Sequence, residues 1–183
     1  MMRIERLDID GLLLLHPRVF IDERGAFLET WNERAFREHV GDHHFTQDNE
    51  SVSRRGVLRG LHFQLEPHAQ GKLVRTVTGS VLDVCVDIRP ASASYGRHVK
   101  VVLNATDRTM LWIPPGFAHG FVALEEGTVF AYKCTAPYNP AAERTILWND
   151  KDLAIDWGIE DPIVSDKDRN GHAFAGAWAA ANP

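Results

Sequence analysis

Gly60-Leu61-His62-Phe63-Gln64, then Lys72 and Gly79, and farther on Pro114-Pro115-Gly116-Phe117-Ala118-His119, are the stretches on which the reading of this chain turns. A metal site in a small β-barrel commonly reads His-x-His, then Glu, then a Gly, with Pro-x-Gly-x-x-His downstream. Here the second His is Gln64 and the Glu is Lys72, which keeps its spacing to Gly79. A protonated ammonium has no lone pair to offer and repels a divalent cation. The pattern therefore predicts a barrel that binds no metal, with His62 and Lys72 facing one cavity. A base beside a fixed cation suits removal of a proton next to a carbonyl.

Working outward, short β-type runs separated by Gly, Pro and Asn dominate. Strands are expected at 12–15, 27–31, 57–63, 72–78, 81–88, 99–103, 110–113, 120–123 and 128–135. The 81–88 run alternates most cleanly, with Leu82, Val84, Val86 and Ile88 on one face and Val81, Asp83, Cys85 and Asp87 on the other. Thr78-Gly79-Ser80 reads as a tight hairpin between the Lys72 and Asp83 strands. A helix is expected over 32–40, with Asn32 as N-cap and Gly41 as its stop, and a second short one over 149–156. Many close-spaced strands and few helices predict an all-β, cupin-like jelly-roll barrel with a few short helices. One domain is expected over 1–183, with 173–183 as a weakly specified tail.

Composition narrows the partners. The chain has 183 residues, 44% of them hydrophobic, enough for one well-buried core, and a formal charge of −5. No basic stripe marks a nucleic-acid surface, and no run is long enough to span a membrane. Local cationic pockets for an anionic ligand survive in an acidic protein. Cys85 and Cys134 sit in apolar runs without Cys-x-x-Cys spacing and read as buried free thiols. Leu12–Leu15 is short and preceded by acids, unlike a signal peptide, so a cytoplasmic setting is expected.

Several segments in order carry a family resemblance: Asp22-Glu23-Arg24-Gly25-Ala26-Phe27-Leu28-Glu29, Gln47-Asp48-Asn49, Leu58-Arg59-Gly60-Leu61-His62-Phe63-Gln64, Gln70-Gly71-Lys72 and Trp112 through Phe121. Tyr132-Lys133, Tyr138, Glu143, Leu147-Trp148-Asn149-Asp150 and Ser165-Asp166-Lys167-Asp168 extend it. Together they resemble dTDP-4-dehydrorhamnose 3,5-epimerases. The resemblance implies a homodimer sharing strands, no cofactor, and inversion of C3 and C5 of a dTDP-4-keto-6-deoxyglucose. Glu50 stands where the family often carries His, and the stretch after Asp168 is idiosyncratic.

Both protons to be moved lie next to the C4 ketone, so the chemistry is enolate formation. A fixed cation against the developing oxyanion contributes about 3–4 kcal/mol, and Lys72 suits that role. His62 suits the base, because imidazole titrates near neutrality. By resemblance Tyr132 is the proton donor, and Asp168 orients His62. Asp83 stays open as another partner for His62 or Lys72. By the same resemblance Arg24, Arg59, His119 and Lys167 approach the sugar or diphosphate, and Glu29, Gln47 and Asn49 the nucleotide. Tyr138 and the partner subunit's Phe27 would sandwich the thymine, and Glu143 is a further binding residue. Two rivals are a dTDP-sugar epimerase acting at a single carbon, and a cupin that binds a ligand or metal without this chemistry. The remaining histidines, including adjacent His43 and His44, lack comparable context.

Overall fold

Two antiparallel sheets face one another in the computed structural model, which describes residues 2–176. One sheet comprises β1 (Arg3–Arg6), β2 (Leu13–His16), β5 (Gln47–Ser53), β7 (Lys72–Thr78), β10 (Met110–Ile113) and β12 (Thr128–Cys134), in the order β1-β2-β10-β7-β12-β5. The other comprises β6 (Leu58–Gln64), β8 (Ser80–Asp87), β9 (His98–Asn104), β11 (Phe117–Ala123) and β13 (Glu143–Thr145), in the order β13-β6-β11-β8-β9. Strands β3 (Val19–Asp22) and β4 (Gly25–Leu28) form a separate hairpin. The fold is the expected all-β, cupin-like sandwich.

Alternation along each strand decides what the sheets bury. Strand β8 is covered on both faces. Val81 and Cys85 meet Val74, Leu111 and Phe130 of the opposing sheet, whereas Val84, Val86 and Ile88 pack under Ile146, Leu153 and Trp157 of the C-terminal segment. A third cluster of Leu13, Leu15, Leu73, Met110 and Trp112 lies beneath Phe36 of helix α1 (Glu33–His39). That helix starts where expected, its Asn32 side chain accepting the Ala35 N–H at 3.0 Å. Each such buried side chain contributes about 1.5–3 kcal/mol relative to exposure.

Three local expectations need correction. Thr78-Gly79-Ser80 is not a hairpin: β7 pairs with β10 and β12, while β8 pairs with β11 and β9. The turn instead carries the chain from one sheet to the other, with Gly79 at φ +75° and no room for a Cβ against Thr128. Residues 149–156 form turns rather than a helix. The Asp150 carboxylate takes the N–H groups of Asp152 and Leu153 at 3.0 Å and that of Phe174 at 2.8 Å, a local alternative to helical bonding. The second helix, α2, is Asp166–Arg169, capped by Ser165. The strand expected at 27–31 ends at Leu28. Of the expected tail, Phe174–Gly176 makes a 3-10 turn, and 177–183 lie outside the described residues.

Candidate active site

Between the sheets opens a cavity of about 410 Å3 lined from β5, β6, β7, β11, β12, β13 and α2. Its geometry begins with two glycines. Gly60 on β6 and Gly120 on β11 approach so closely that a Cβ on Gly60 would lie 2.5 Å from the Gly120 Cα. There β6 carries one extra residue, a bulge: His62 pairs with His119, and Arg59 with Phe121. The extra residue brings Arg59 and His62, three apart, onto the same cavity-lining face.

His62 Nε2 meets Asp168 Oδ1 at 2.5 Å. A carboxylate accepts, so Nε2 carries the hydrogen and Nδ1 holds the lone pair when the ring is neutral. Burial pushes the His62 pKa down, and the Asp168 hydrogen bond and charge oppose it. Burial alone would raise Asp168, but the bond from His62, its charge and Ser165 prevail and lower it. Asp168 sits in the first turn of α2, where its N–H bonds Ser165 Oγ at 3.2 Å.

The opposite wall comes from the other sheet. Lys72 on β7 pairs across to Cys134 on β12, and Tyr132 lies two residues back on the same face. Among the described residues the Lys72 ammonium makes no hydrogen bond or ion pair within contact distance, although its backbone is paired on both sides in the sheet. Burial lowers its pKa, against the attraction of Cys134, Cys85, Asp83 and Glu143. Burial raises the Tyr132 phenol, so it stays protonated at neutral pH. Asp83 meets neither His62 nor Lys72 within hydrogen-bond distance. Its fully buried carboxylate holds His119 Nε2 at 2.9 and 3.0 Å, making a second His–Asp pair beside the first.

At the rim, Glu143 joins two groups: Oε1 accepts from Lys167 Nζ and Oε2 from Tyr138 Oη, both at 2.9 Å. Gln47 accepts the Tyr138 N–H at 2.8 Å and donates to Asn49 at 2.9 Å. Arg59 donates to Ser53 Oγ at 3.2 Å and to the Val52 carbonyl at 3.4 Å. Gln64, in the place of a second metal-binding His, is used structurally: it donates to the carbonyls of His68 and Pro137 and accepts the Asn139 N–H. Among the described residues, no group of three or more His, Cys, Asp or Glu side chains is placed to hold a metal ion.

Of the fourteen residues nominated from sequence, eleven line this one cavity: His62, Tyr132, Lys72, Asp168, Gln47, Asn49, Arg59, His119, Tyr138, Glu143 and Lys167. Arg24, Phe27 and Glu29 do not. Arg24 sits at the β3–β4 turn, solvent-exposed and paired with Asp22. Phe27 is 70% exposed and, with Glu29, borders a different hollow beside α1. The reason is topological, since the β3–β4 hairpin belongs to neither main sheet of its own chain. Ser53, which accepts from Arg59, and Ser165, which accepts the Asp168 N–H, were given no role from sequence; a serine next to charged residues carries no signal separate from ordinary turn chemistry. Both cysteines are buried free thiols, as expected.

Residues 6–176 match the family model described as dTDP-4-dehydrorhamnose 3,5-epimerase. A Shigella flexneri dTDP-4-dehydrorhamnose 3,5-epimerase is 50% identical over 177 residues, covering 96% of this chain and 98% of that one. The Legionella pneumophila dTDP-6-deoxy-D-glucose-3,5-epimerase, solved with dTDP-4-keto-L-rhamnose, superposes with a TM-score of 0.92 at 42% identity, covering 96% and 94%. The 4-keto-6-deoxy sugar epimerase of the Streptomyces spheroides novobiocin cluster superposes at 0.94 with 36% identity, covering 99% and 92%. With matches spanning nearly its full length and a cavity built from the residues its motifs nominate, the chain belongs to the dTDP-4-dehydrorhamnose 3,5-epimerase family.

Proposed function

We propose that this protein inverts C3 and C5 of dTDP-4-dehydro-6-deoxy-D-glucose, giving dTDP-4-dehydro-L-rhamnose for dTDP-L-rhamnose synthesis. His62 Nδ1 takes the proton beside the C4 ketone while Asp168 holds the ring and balances the imidazolium. Lys72 stabilises the enolate oxygen. Tyr132 returns a proton from the other side and regains its own from solvent. The observation that carries this reading is the placement of base and acid on opposing walls: His62 on the five-stranded sheet, Tyr132 on the six-stranded one. Inversion requires removal and delivery on opposite faces of one carbon, and two facing sheets supply that. Both protons are acidified by the same carbonyl, so the reaction as proposed needs no redox cofactor.

The diphosphate is assigned to Arg59 and Lys167, and the thymine to Tyr138, 52% exposed at the rim. Arg24, Phe27 and Glu29 are assigned to a neighbouring subunit's cavity, reached by the projecting β3–β4 hairpin of a homodimer. We place the protein in the cytoplasm, where its two thiols stay reduced. Proton NMR of the 4-keto substrate turned over in deuterium oxide tests the reaction. Deuterium at both C3 and C5 is expected; deuterium at one carbon would reassign the enzyme to single-carbon epimerisation, and none would end the epimerase reading.

A further inference from the structure

The β13 carboxylate Glu143 and the α2 residues Lys167 and Asp168 make an unusual join. Consecutive residues of α2 reach neighbouring strands with opposite chemistry: Lys167 pairs its ammonium with Glu143, and the Asp168 carboxylate accepts the hydrogen bond of His62. Glu143 thus places a negative charge inside a cavity whose proposed ligand carries a diphosphate. Its side chain is only 16% exposed and its pKa, which burial alone would raise, is brought down by the hydrogen bonds from Lys167 and Tyr138. Arg59, the other rim cation, touches only the neutral Ser53 hydroxyl and Val52 carbonyl and forms no ion pair among the described residues. One rim cation is therefore open to an anion, and the other already has one.

We propose that Glu143 is an internal competitor for the substrate's diphosphate at Lys167: the carboxylate occupies the lysine in the empty cavity and must release it when the nucleotide binds. This rests on the epimerase reading above and adds to it a brake on affinity. The physical reason is charge balance. A carboxylate and a phosphate drawing on one ammonium at short range cannot both keep it fully. The exchange serves release of a nucleotide-sugar product, because Glu143 recaptures Lys167 as the diphosphate leaves. It also keeps Tyr138 and Lys167 ordered between turnovers, since both are tied to the same carboxylate.

Calorimetric titration with thymidine diphosphate decides it. Glu143→Gln keeps an oxygen for the Tyr138 hydroxyl and removes only the charge, so it should bind thymidine diphosphate roughly three- to tenfold tighter than wild type. Lys167→Gln should bind more weakly. The double variant should match Lys167→Gln alone, because the competition acts through that lysine. Uncharged thymidine should bind wild type and Glu143→Gln equally. Glu143→Ala, which also lifts the charge, should show the same direction with inorganic pyrophosphate and guards against one variant that misfolds. Unchanged or weaker thymidine diphosphate binding by Glu143→Gln overturns the proposal, as does a gain that persists without Lys167 or extends to thymidine. Wild type that ignores thymidine diphosphate altogether would instead sink the epimerase reading itself.

Discussion

Lys72 and His62 place two basic groups in one cavity, where a proton on either disfavours a proton on the other. Burial lowers both pKa values, but only His62 has a carboxylate in contact. A pKa below the ordinary histidine value of 6.5 keeps Nδ1 unprotonated to lower pH, so the acid limb of kcat/KM should have its midpoint below 6.5. Asp168→Asn should move that limb lower still, since it removes the charge that favours the imidazolium, and should cut kcat by about 10²–10⁴ through loss of the tautomer. A limb that moves upward would mean another group titrates. For Lys72 the cost falls on stability. Its folded-state pKa is lowered, so the unfolded chain binds the proton more tightly and stability rises with pH toward the ordinary lysine value of 10.5. Lys72→Met should reduce kcat by about 10²–10³ while raising stability by about 1 kcal/mol at neutral pH, measured by urea unfolding. A destabilised Lys72→Met would show that the ammonium is compensated in the folded protein.

The element that aligns this chemistry is the β6–β11 crossing. Pairing in perfect register would send Arg59 and His62 to opposite faces; the bulge at Gly60 turns both to the cavity. The backbone leaves no space for a side chain there, with Gly60 at φ +147° against the Gly120 Cα. Gly60→Ala should therefore cost about 2–4 kcal/mol in chemical unfolding, through both the contact and the backbone conformation. Its surviving folded fraction should bind thymidine diphosphate more weakly, because Arg59 loses its aim. By contrast Gly25→Ala, where a Cβ meets nothing within 4 Å, carries only the strain of φ +127° and should cost about 1 kcal/mol. Similar losses at the two sites would remove the bulge from its aligning role. Strand β5 shows a different lesson. Its Gln47-Asp48-Asn49-Glu50-Ser51 sequence has no apolar alternation, yet it forms the sheet edge and lends Gln47, Asn49 and Ser51 to the cavity. An edge strand facing a polar cavity has no apolar face to reveal it.

At the scale of the whole chain, one cavity gathers eleven of the nominated residues and leaves Arg24, Phe27 and Glu29 outside, on and just after the hairpin. If those three serve a neighbouring subunit, inactive His62→Asn and Arg24→Ala proteins should complement each other. A mixed dimer has one cavity with both lesions and one with neither, so random reassembly of equal amounts should regain about a quarter of wild-type activity. Activity that stays at the level of the separate variants would confine each site to its own chain. The all-β jelly-roll class, the helix at 32–40 and the placing of His62 and Lys72 in one cavity were legible in the chain itself, and the family resemblance added Tyr132 and Asp168. Strand alternation, a capping Asn and a Lys in a ligand's place are local signals that need no distant partner to be read. Contacts between remote segments were not. Asp83 holds His119 rather than the His62 or Lys72 for which it stayed open; Thr78-Gly79-Ser80 changes sheets instead of closing a hairpin; and Arg59 faces inward because of a single extra residue. Each of these depends on how two stretches far apart in sequence meet, and side-chain periodicity within one stretch carries no information about the other.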